Sequence, residues 1–449
     1  MAADTSWSEA EAWAWERICS GAVADFASYK NGGSASPGDY EKWPKQERRL
    51  RAAFLRTILS DSAYVNAITY QGVRIWSAYF DEPIILSQLR FDKPLELREV
   101  VFEQPLYMEN YRSESVVSLQ GSWFRYLPPP ETLLPDPREL PSVVPLSMSG
   151  AHIGANLALD GVTASDANLQ DVEVKRHVNL SSSTFDGVVD LSGAHIDGFL
   201  LFQHSLVGNA IMLRQSNLGS DAIFSDTRVI AGYGDHLPGA LILDGAHISG
   251  SITVGSATDQ LAMPTDARLA NPSDNAPPPA DTAAPPQTGP APNQQGGRFP
   301  GRYAFMAGTV SMNGATINGE VGIRKAEIPL FLNLQDAHIG DDLWITSSHV
   351  GNDDLTGAVV KGFLLLQDSV FDVRLFLDSA EIGRHLVMSR GTDIKGWLQM
   401  GGVKLGGSFF GEGAHIGGSP AGEPTMGEPP TPVFQSNSPV SVQSAGCPA

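Results

Sequence analysis

Cysteine and charge are both scarce in this chain. The 449 residues include two cysteines, Cys19 and Cys447, which lie near opposite ends of the sequence. They provide neither a disulfide framework nor a cysteine zinc site, so we predict a reducing compartment and a cytoplasmic protein. Charged residues make up 18 % of the chain, and 50 acids outnumber 30 lysines and arginines. Because the net charge is −20, the chain lacks the basic footprint of a nucleic-acid-binding protein, and we expect no direct nucleic-acid binding.

Long apolar runs and catalytic motifs are missing as well. No apolar stretch approaches the roughly 18 residues of a transmembrane helix, and the first residues, MAADTSWSEAEAW, lack the pattern of a signal peptide. The sequence contains no P-loop, no G-x-S-x-G and no HExxH motif. One glycine-rich stretch, GEGAHIGG at 411–418, precedes SPAGEPTMGEPP, which cannot form the helix that a Rossmann site requires. We therefore predict a protein without catalytic residues, cofactor or metal.

What the chain does contain is an eleven-residue repeat. Five consecutive units run from Tyr70 to Phe124, beginning YQGVRIWSAYF, DEPIILSQLRF and DKPLELREVVF. Five more run from Lys175 to Val229, and a third block covers 307–416 with one ten-residue and one twelve-residue unit. Self-similarity at a fixed period is the signature of a repeat architecture.

The residue pattern inside a unit predicts the shape of the fold. Apolar or small residues occupy positions 4, 6, 9 and 11 of each unit, as in Val189, Leu191, Ala194 and Ile196. A spacing of two is typical of a strand with alternating faces, the spacing of three marks a corner, and a helical period is absent. We predict a mainly β fold, a right-handed parallel β-solenoid that is quadrilateral in section, with two units per coil and about twelve coils. The position-11 phenylalanines are predicted to be core residues: Phe91, Phe102, Phe124 and Phe185.

These units resemble the pentapeptide-repeat family, whose four-sided coils carry a small residue and a leucine or phenylalanine inward on each side. In this chain Ala337 and Ile339 fill those positions on one side, and Leu332 and Leu334 on the other. The resemblance covers roughly two-thirds of the chain, which departs from the family in its eleven-residue unit and in bulky residues on alternate sides. Members of the family that bind DNA gyrase imitate DNA. The chain also looks like bacterial repeat proteins labelled membrane-associated oxidoreductases, but the residues offer no cofactor site for that activity.

The residues outside the repeat predict a cap and several polar segments. An amphipathic helix is expected over 6–28, with a capping box formed by Ser6 and Glu9, and a second helix over 44–60 that begins at Pro44. Proline-rich, polar segments are expected to be disordered. The predicted organisation is a helical cap 1–62, a first solenoid part 63–256 with a Pro-rich loop 127–145, a disordered loop 257–301, a second solenoid part 302–417 and a disordered tail 418–449.

Acidic residues begin four successive units, and two-unit coils stack them in pairs. Asp81 is expected above Glu103, and Asp92 above Glu114, which makes two short acidic edges. One interpretation is turn preference and solubility. A second is an anionic surface that imitates nucleic acid, and a third, a glycosidase or lyase dyad, is disfavoured because no basic or aromatic cluster lies beside the acids.

Basic residues in the cap give a further candidate surface. Arg48 and Arg49 lie in the predicted helix over 44–60, which either docks on the acidic solenoid or touches an anionic membrane. Five histidines occur in an AHI tripeptide and are expected to point outward, and their spacing does not place them on neighbouring coils. These histidines are His152, His195, His247, His338 and His415.

The function that the sequence favours is a non-enzymatic scaffold or interaction protein of a bacterial cytoplasm. It would bind an unknown protein partner, or a second copy of itself, through rigid sides or through the cap. The alternatives are an acidic DNA-mimicking regulator of gyrase or another DNA-binding enzyme, and a peripheral membrane-associated oxidoreductase. The predicted interaction surface consists of Asp81, Asp92, Glu103, Glu114, Arg48 and Arg49.

Overall fold

The chain winds into a parallel β-solenoid of about 12 turns behind a group of N-terminal helices. This confirms the predicted mainly β fold with four-sided coils of two units each. The predicted loop 257–301 and tail 418–449 lie outside the residues described here, as does the loop 127–145 except for its last two residues. The computed structural model describes residues 6–30, 32–126, 144–230, 240–256, 304–305, 308–389 and 391–417.

The helices precede the solenoid and extend slightly beyond the predicted cap. A 3₁₀ helix lies between the first and second α-helices, and the last α-helix ends six residues before the first strand of the coils. The helices are α1 Glu9–Cys19, the 3₁₀ helix Pro37–Lys42, α2 Lys45–Arg48, α3 Ala52–Ser60 and α4 Ser62–Ala67.

Four parallel sheets, named A to D here, form the sides of the solenoid. Sheet A contains Ala24–Asp25, Val73–Trp76, Leu95–Arg98, Val117–Ser118, Leu157–Ala158, Val178–Asn179, Leu200–Leu201, Ala222–Ser225, Ile252–Gly255, Val321–Arg324, Leu343–Thr346, Leu364–Gln367, Leu386–Met388 and Phe409–Phe410. Sheet B contains Tyr79–Phe80, Val101–Phe102, Trp123–Phe124, Thr163–Ala164, Thr184–Phe185, Leu206–Val207 and Arg228–Val229.

Sheets C and D complete each coil. Sheet C contains Ile84–Ile85, Leu106–Tyr107, Leu146–Ser147, Ala167–Asn168, Val188–Asp190, Ala210–Met212, Ala240–Ile242, Ala304–Phe305, Thr309–Ser311, Ala326–Asn333, His349–Asp354, Val370–Phe376, Asp393–Ile394, Trp397–Gln399 and His415–Ile416. Sheet D contains Arg112–Ser113, His152–Ile153, Glu173–Val174, His195–Ile196, Asn217–Leu218, His247–Ile248, Thr316–Ile317, His338–Ile339, Val359–Val360, Glu381–Ile382 and Lys404–Leu405.

The unit pattern places its apolar residues inside, as predicted. Val189, in register with Ile211 of the next coil, is fully buried, and Ala194 and Ile196 are buried in the same way. The four position-11 phenylalanines are at most 3 % exposed. Stacked coils thus bury one continuous apolar column. Each coil contacts only its neighbours, so the apolar area buried between adjacent coils supplies most of the stabilisation of a solenoid.

In the first part of the solenoid, where sheet B is present, two corners of the coil differ in chemistry. Where the chain passes from sheet A to sheet B, buried hydroxyls bond to the preceding coil: the Oγ of Ser183 donates to the carbonyl of Leu159 (2.8 Å), and that of Ser205 to the carbonyl of Leu180 (2.8 Å). Where the chain passes from sheet C to sheet D, a buried alanine such as Ala194 follows a tight turn. The turn residue Gly193 has a φ of +72°, a conformation that favours glycine.

The cap differs from its prediction in its helix boundaries. Helix α1 begins at Glu9, and its capping box pairs Ser8 with Glu11 instead of Ser6 with Glu9. The predicted second helix is interrupted because Arg49 is extended and bridges Tyr79 of sheet B. Tertiary pairing with the first coil therefore overrides local helix propensity here.

A strand of the cap covers the first edge of the solenoid. Ala24–Asp25 pairs in parallel with Val73–Trp76, so sheet A begins in the cap. Apolar side chains of the cap, among them Ile18, Phe54 and Ile58, belong to the same buried cluster as the coils. The described part of the chain contains no helix that is long and apolar enough to cross a membrane.

Candidate interaction face

The most distinctive surface of the solenoid is a stripe of apolar residues on the outside of sheet A. Eight residues of consecutive strands stand in register, and six of them carry large apolar side chains. At about 4.8 Å per coil the stripe is roughly 34 Å long. We call it the sheet A stripe: Leu201, Ile223, Thr253, Gly322, Trp344, Leu365, Val387 and Phe410.

The stripe begins part-way along the sheet. The outward residues of the earlier strands in the same column are mostly polar, and the change comes between Asn179 and Leu201. Among its members Phe410 is 51 % exposed, Gly322 is buried and the other six are half-buried. Contiguous apolar residues that keep part of their surface in solvent, unlike scattered ones, mark interaction sites.

Carboxylates border one side of the stripe at the corner between sheets D and A. Glu320 is half-buried there. Burial raises the pKa of its carboxyl group, the charge of Arg324 lowers it, and three nearby acids raise it further. Two of those acids also hold the coils together. The Oδ1 of Asp221 accepts a hydrogen bond from the backbone amide of Ser251 (2.8 Å), and the Oδ1 of Asp342 accepts one from the backbone amide of Phe363 (2.7 Å). We call this group the acidic corner: Asp221, Glu320, Asp341 and Asp342.

One arginine links the acidic corner to the stripe. The guanidinium of Arg324 lies 5.0 Å from the ring centre of Trp344, and its Nη2 is 3.4 Å from the Oε1 of Glu320. Gly322 lies directly beside this guanidinium, because an added Cβ would meet the Nε of Arg324 at 3.4 Å, an ordinary van der Waals distance.

Aromatic rings replace the acids in the last coils of that corner. The ring of His385 lies 5.3 Å from those of Phe363 and Phe410, and its Nδ1 accepts the amide of Ser408 (2.8 Å). The guanidinium of Arg384 lies 5.3 Å from the ring centre of Phe363, so the face beside the stripe is acidic in its middle coils and aromatic and basic in its last ones.

The predicted pair Asp81 and Glu103 does stack on neighbouring coils, since Phe80 and Phe102 before them are in register. Both acids, however, contact the cap. The Nε of Arg49 lies 2.8 Å from an oxygen of Asp81, and the hydroxyl of Tyr40 donates to Glu103. This edge is occupied by the protein's own cap.

The second predicted pair, Asp92 and Glu114, is also stacked, since Arg90 and Arg112 before them are in register. Arg90 lies beside both acids, 2.8 Å from Asp92 and 3.9 Å from Glu114. The two side chains are 44 % and 64 % exposed. This edge remains accessible but is partly neutralised.

The prediction that Arg48 lies on a surface is wrong. Its side chain is fully buried, with Nη1 donating to the carbonyls of Ser34 (2.9 Å) and Ser77 (3.4 Å) and Nη2 to that of Gly32 (3.2 Å). The guanidinium also lies 4.5 Å from the ring of Trp43. Arg48 is a structural residue of the cap because it joins cap loops to the first coil.

The AHI histidines point outward, as predicted. Four of them lie in one column of sheet D, on alternate strands, with Glu173, Asn217 and Thr316 between them. The column is His152, His195, His247 and His338. The described residues contain no group of three or more side chains placed to hold a metal ion.

Comparison with protein-family models, with curated proteins and with solved structures finds no match. The resemblance to pentapeptide repeats therefore stays a prediction drawn from the unit pattern alone.

The sheet A stripe was missed although the sequence carries its signal. Position 5 of alternate units lies between the two inward positions of one strand. It is polar in Asn179, becomes apolar in Leu201, is interrupted by Thr253 and Gly322, and is apolar again from Trp344 onward. The inward positions repeat in every unit, whereas an outward stripe involves one position of every second unit. It can be recognised only when alternate units are aligned.

Proposed function

We propose that this protein is a non-enzymatic scaffold that binds another macromolecule through a rigid side, and that the binding side is the sheet A stripe. The observation that supports it is the register of the stripe, which aligns Trp344, Leu365, Val387 and Phe410 on successive strands. A flat, ordered row of this kind offers protein-binding area with little loss of side-chain entropy. It does not form the concave pocket that substrate chemistry requires.

The test changes the stripe without touching the core. We would replace Leu365 and Val387 by serine, and as a matched control replace Val359 and Val370, two half-buried outward valines of sheets D and C, by serine. Proteins captured from an extract of the cells that express this chain would be quantified by mass spectrometry. The proposal expects one partner that the wild type and the control retain and that the stripe variant loses by about tenfold or more.

Other outcomes would support the rival functions. A partner that is kept by the stripe variant but lost in Asp92→Asn/Glu114→Gln, and lost as salt rises, would favour an acidic surface that imitates DNA. A partner that every variant keeps would contradict both proposals. Purified protein that shows a flavin or nicotinamide absorbance band would contradict the absence of enzymatic activity.

A further inference from the structure

We propose that the partner segment bound by the sheet A stripe is an amphipathic α-helix that lies along the solenoid axis, with basic residues over the acidic corner. This inference rests on the proposed function, because it names the chemistry of the partner at that same face. It combines two features of the face, the spacing of the stripe and the charge beside it.

The spacing of the stripe favours a helix over an extended strand. Successive stripe residues are about 4.8 Å apart, whereas successive turns of an α-helix rise about 5.4 Å. Same-face residues of an extended peptide are about 6.6 Å apart. A helix therefore drifts out of register by roughly 0.6 Å per coil and an extended peptide by roughly 1.8 Å, so only the helix keeps contact with several consecutive coils.

The same arithmetic limits the length of the helix. Over the four coils from Trp344 to Phe410 the drift amounts to about 2 Å, which flexible side chains accommodate. Over all eight coils it reaches about 4 Å, close to the spacing of the stripe itself. The structure therefore fits an apolar ridge of three to four turns, with residues spaced i, i+3/i+4 and i+7.

Charge decides which helices bind. Among the described residues, Asp221 and Asp342 accept backbone amides but have no lysine or arginine against them, and Arg324 is the cation that contacts Glu320. The acidic corner thus holds four carboxylates beside one partnered guanidinium. Lysines or arginines at one end of the bound helix would compensate these carboxylates next to Trp344.

The experiment uses the full chain and a designed probe. An 18-residue fluorescent peptide would carry leucines at i, i+3/i+4 and i+7 and lysines toward one end, and binding would be followed by anisotropy. One reference peptide replaces its leucines by serine, and the other replaces its lysines by glutamate. Wild-type protein is expected to bind the first peptide and to bind both references at least about tenfold more weakly.

Protein variants separate the stripe from the general acidity of the chain. Asp221→Asn/Glu320→Gln/Asp342→Asn is expected to weaken peptide binding about three- to tenfold. The control Asp190→Asn/Asp244→Asn/Asp354→Asn changes the net charge equally and keeps its backbone hydrogen bonds, and it is expected to change binding by less than about twofold.

Each result decides the matter. If both amide variants weaken binding equally, or if the serine peptide binds as tightly as the leucine peptide, the helix proposal is overturned. If the cellular partner is lost by Leu365→Ser/Val387→Ser while the peptide ignores the acidic corner, the scaffold function stands and the basic-helix inference falls. If the cellular partner tolerates the stripe variant, the proposed function falls instead.

Discussion

Asp353 lies inside the solenoid at the place that Leu332 fills one coil earlier, because the two residues are in register in sheet C. The carboxyl group is fully buried, and among the described residues backbone amides lie near its oxygens without completing a well-aligned hydrogen bond. Burial raises its pKa well above the ordinary value and the charge of Asp354 raises it further, while the amide of Phe376 and the guanidinium of Arg374 only partly oppose these effects. The acid belongs to the ten-residue unit, where sheet C also shifts its register.

We therefore expect Asp353 to make the protein less stable as pH rises. Below about pH 4 the carboxyl group of Asp353 is protonated in both the folded and the unfolded chain. Above that pH the unfolded chain releases the proton while the folded chain keeps it, which favours unfolding. The loss of stability stops once the pH exceeds the pKa of Asp353 in the folded chain. The Asp353→Asn variant lacks this titrating group. Relative to the wild type, its free energy of unfolding should be nearly unchanged at pH 4 and higher by about 1–3 kcal/mol at pH 7, as measured by urea unfolding.

The control for this prediction is Asp354→Asn, at the adjacent acid that points outward. The side-chain oxygen of the new asparagine would still accept the hydrogen bond from the backbone amide of Thr356. This variant should keep most of the loss of stability with rising pH, because burial of Asp353, the largest cause of its raised pKa, remains when the charge of Asp354 is removed. Equal pH profiles for Asp353→Asn and the wild type would show that the carboxyl group is not buried as described.

Hydroxyls between sheets A and B should contribute measurably to stability. The Oγ of Ser205 is buried, donates to the carbonyl of Leu180 and accepts the amide of Ser183 (3.4 Å). Ser205→Ala should lower the free energy of unfolding by about 1–2 kcal/mol, because the carbonyl and the amide lose a partner in a dry site. Ser192→Ala, at a half-buried outward serine, should change it by less than about 0.5 kcal/mol. Equal effects of the two substitutions would contradict the stabilising role of the buried hydroxyls between sheets A and B.

Arg48 should be required for the cap to stay on the first coil. Arg48→Met keeps the length of the side chain but removes the bonds to three carbonyls, and it should destabilise the cap by about 2–4 kcal/mol. Hydrogen exchange of the segment 45–60 should accelerate in this variant and remain unchanged in Arg56→Met, since Arg56 is exposed. Slow exchange in both variants would refute the structural role of Arg48.

The unit pattern predicted inward residues better than it predicted surfaces. Val189 and Ile196 are buried because alternation along a short strand leaves one choice of inward face once the coil closes. Arg48 was misplaced because a basic residue in a polar segment reads as exposed, and its burial depends on carbonyls contributed by Ser34 and Ser77. Those contacts join parts of the chain that local pattern does not relate.

By itself the sequence determined the repeat, the inward column and the number of coils, because an eleven-residue period with apolar residues at fixed positions can bury them only by stacking unit pairs. The tertiary structure alone decided how the cap pairs with the first strand, where Asp353 enters the core, and that Arg324 lies over Trp344 beside Glu320. The reason is that register between coils, set by hydrogen bonds between residues about 22 positions apart, determines which outward side chains become neighbours.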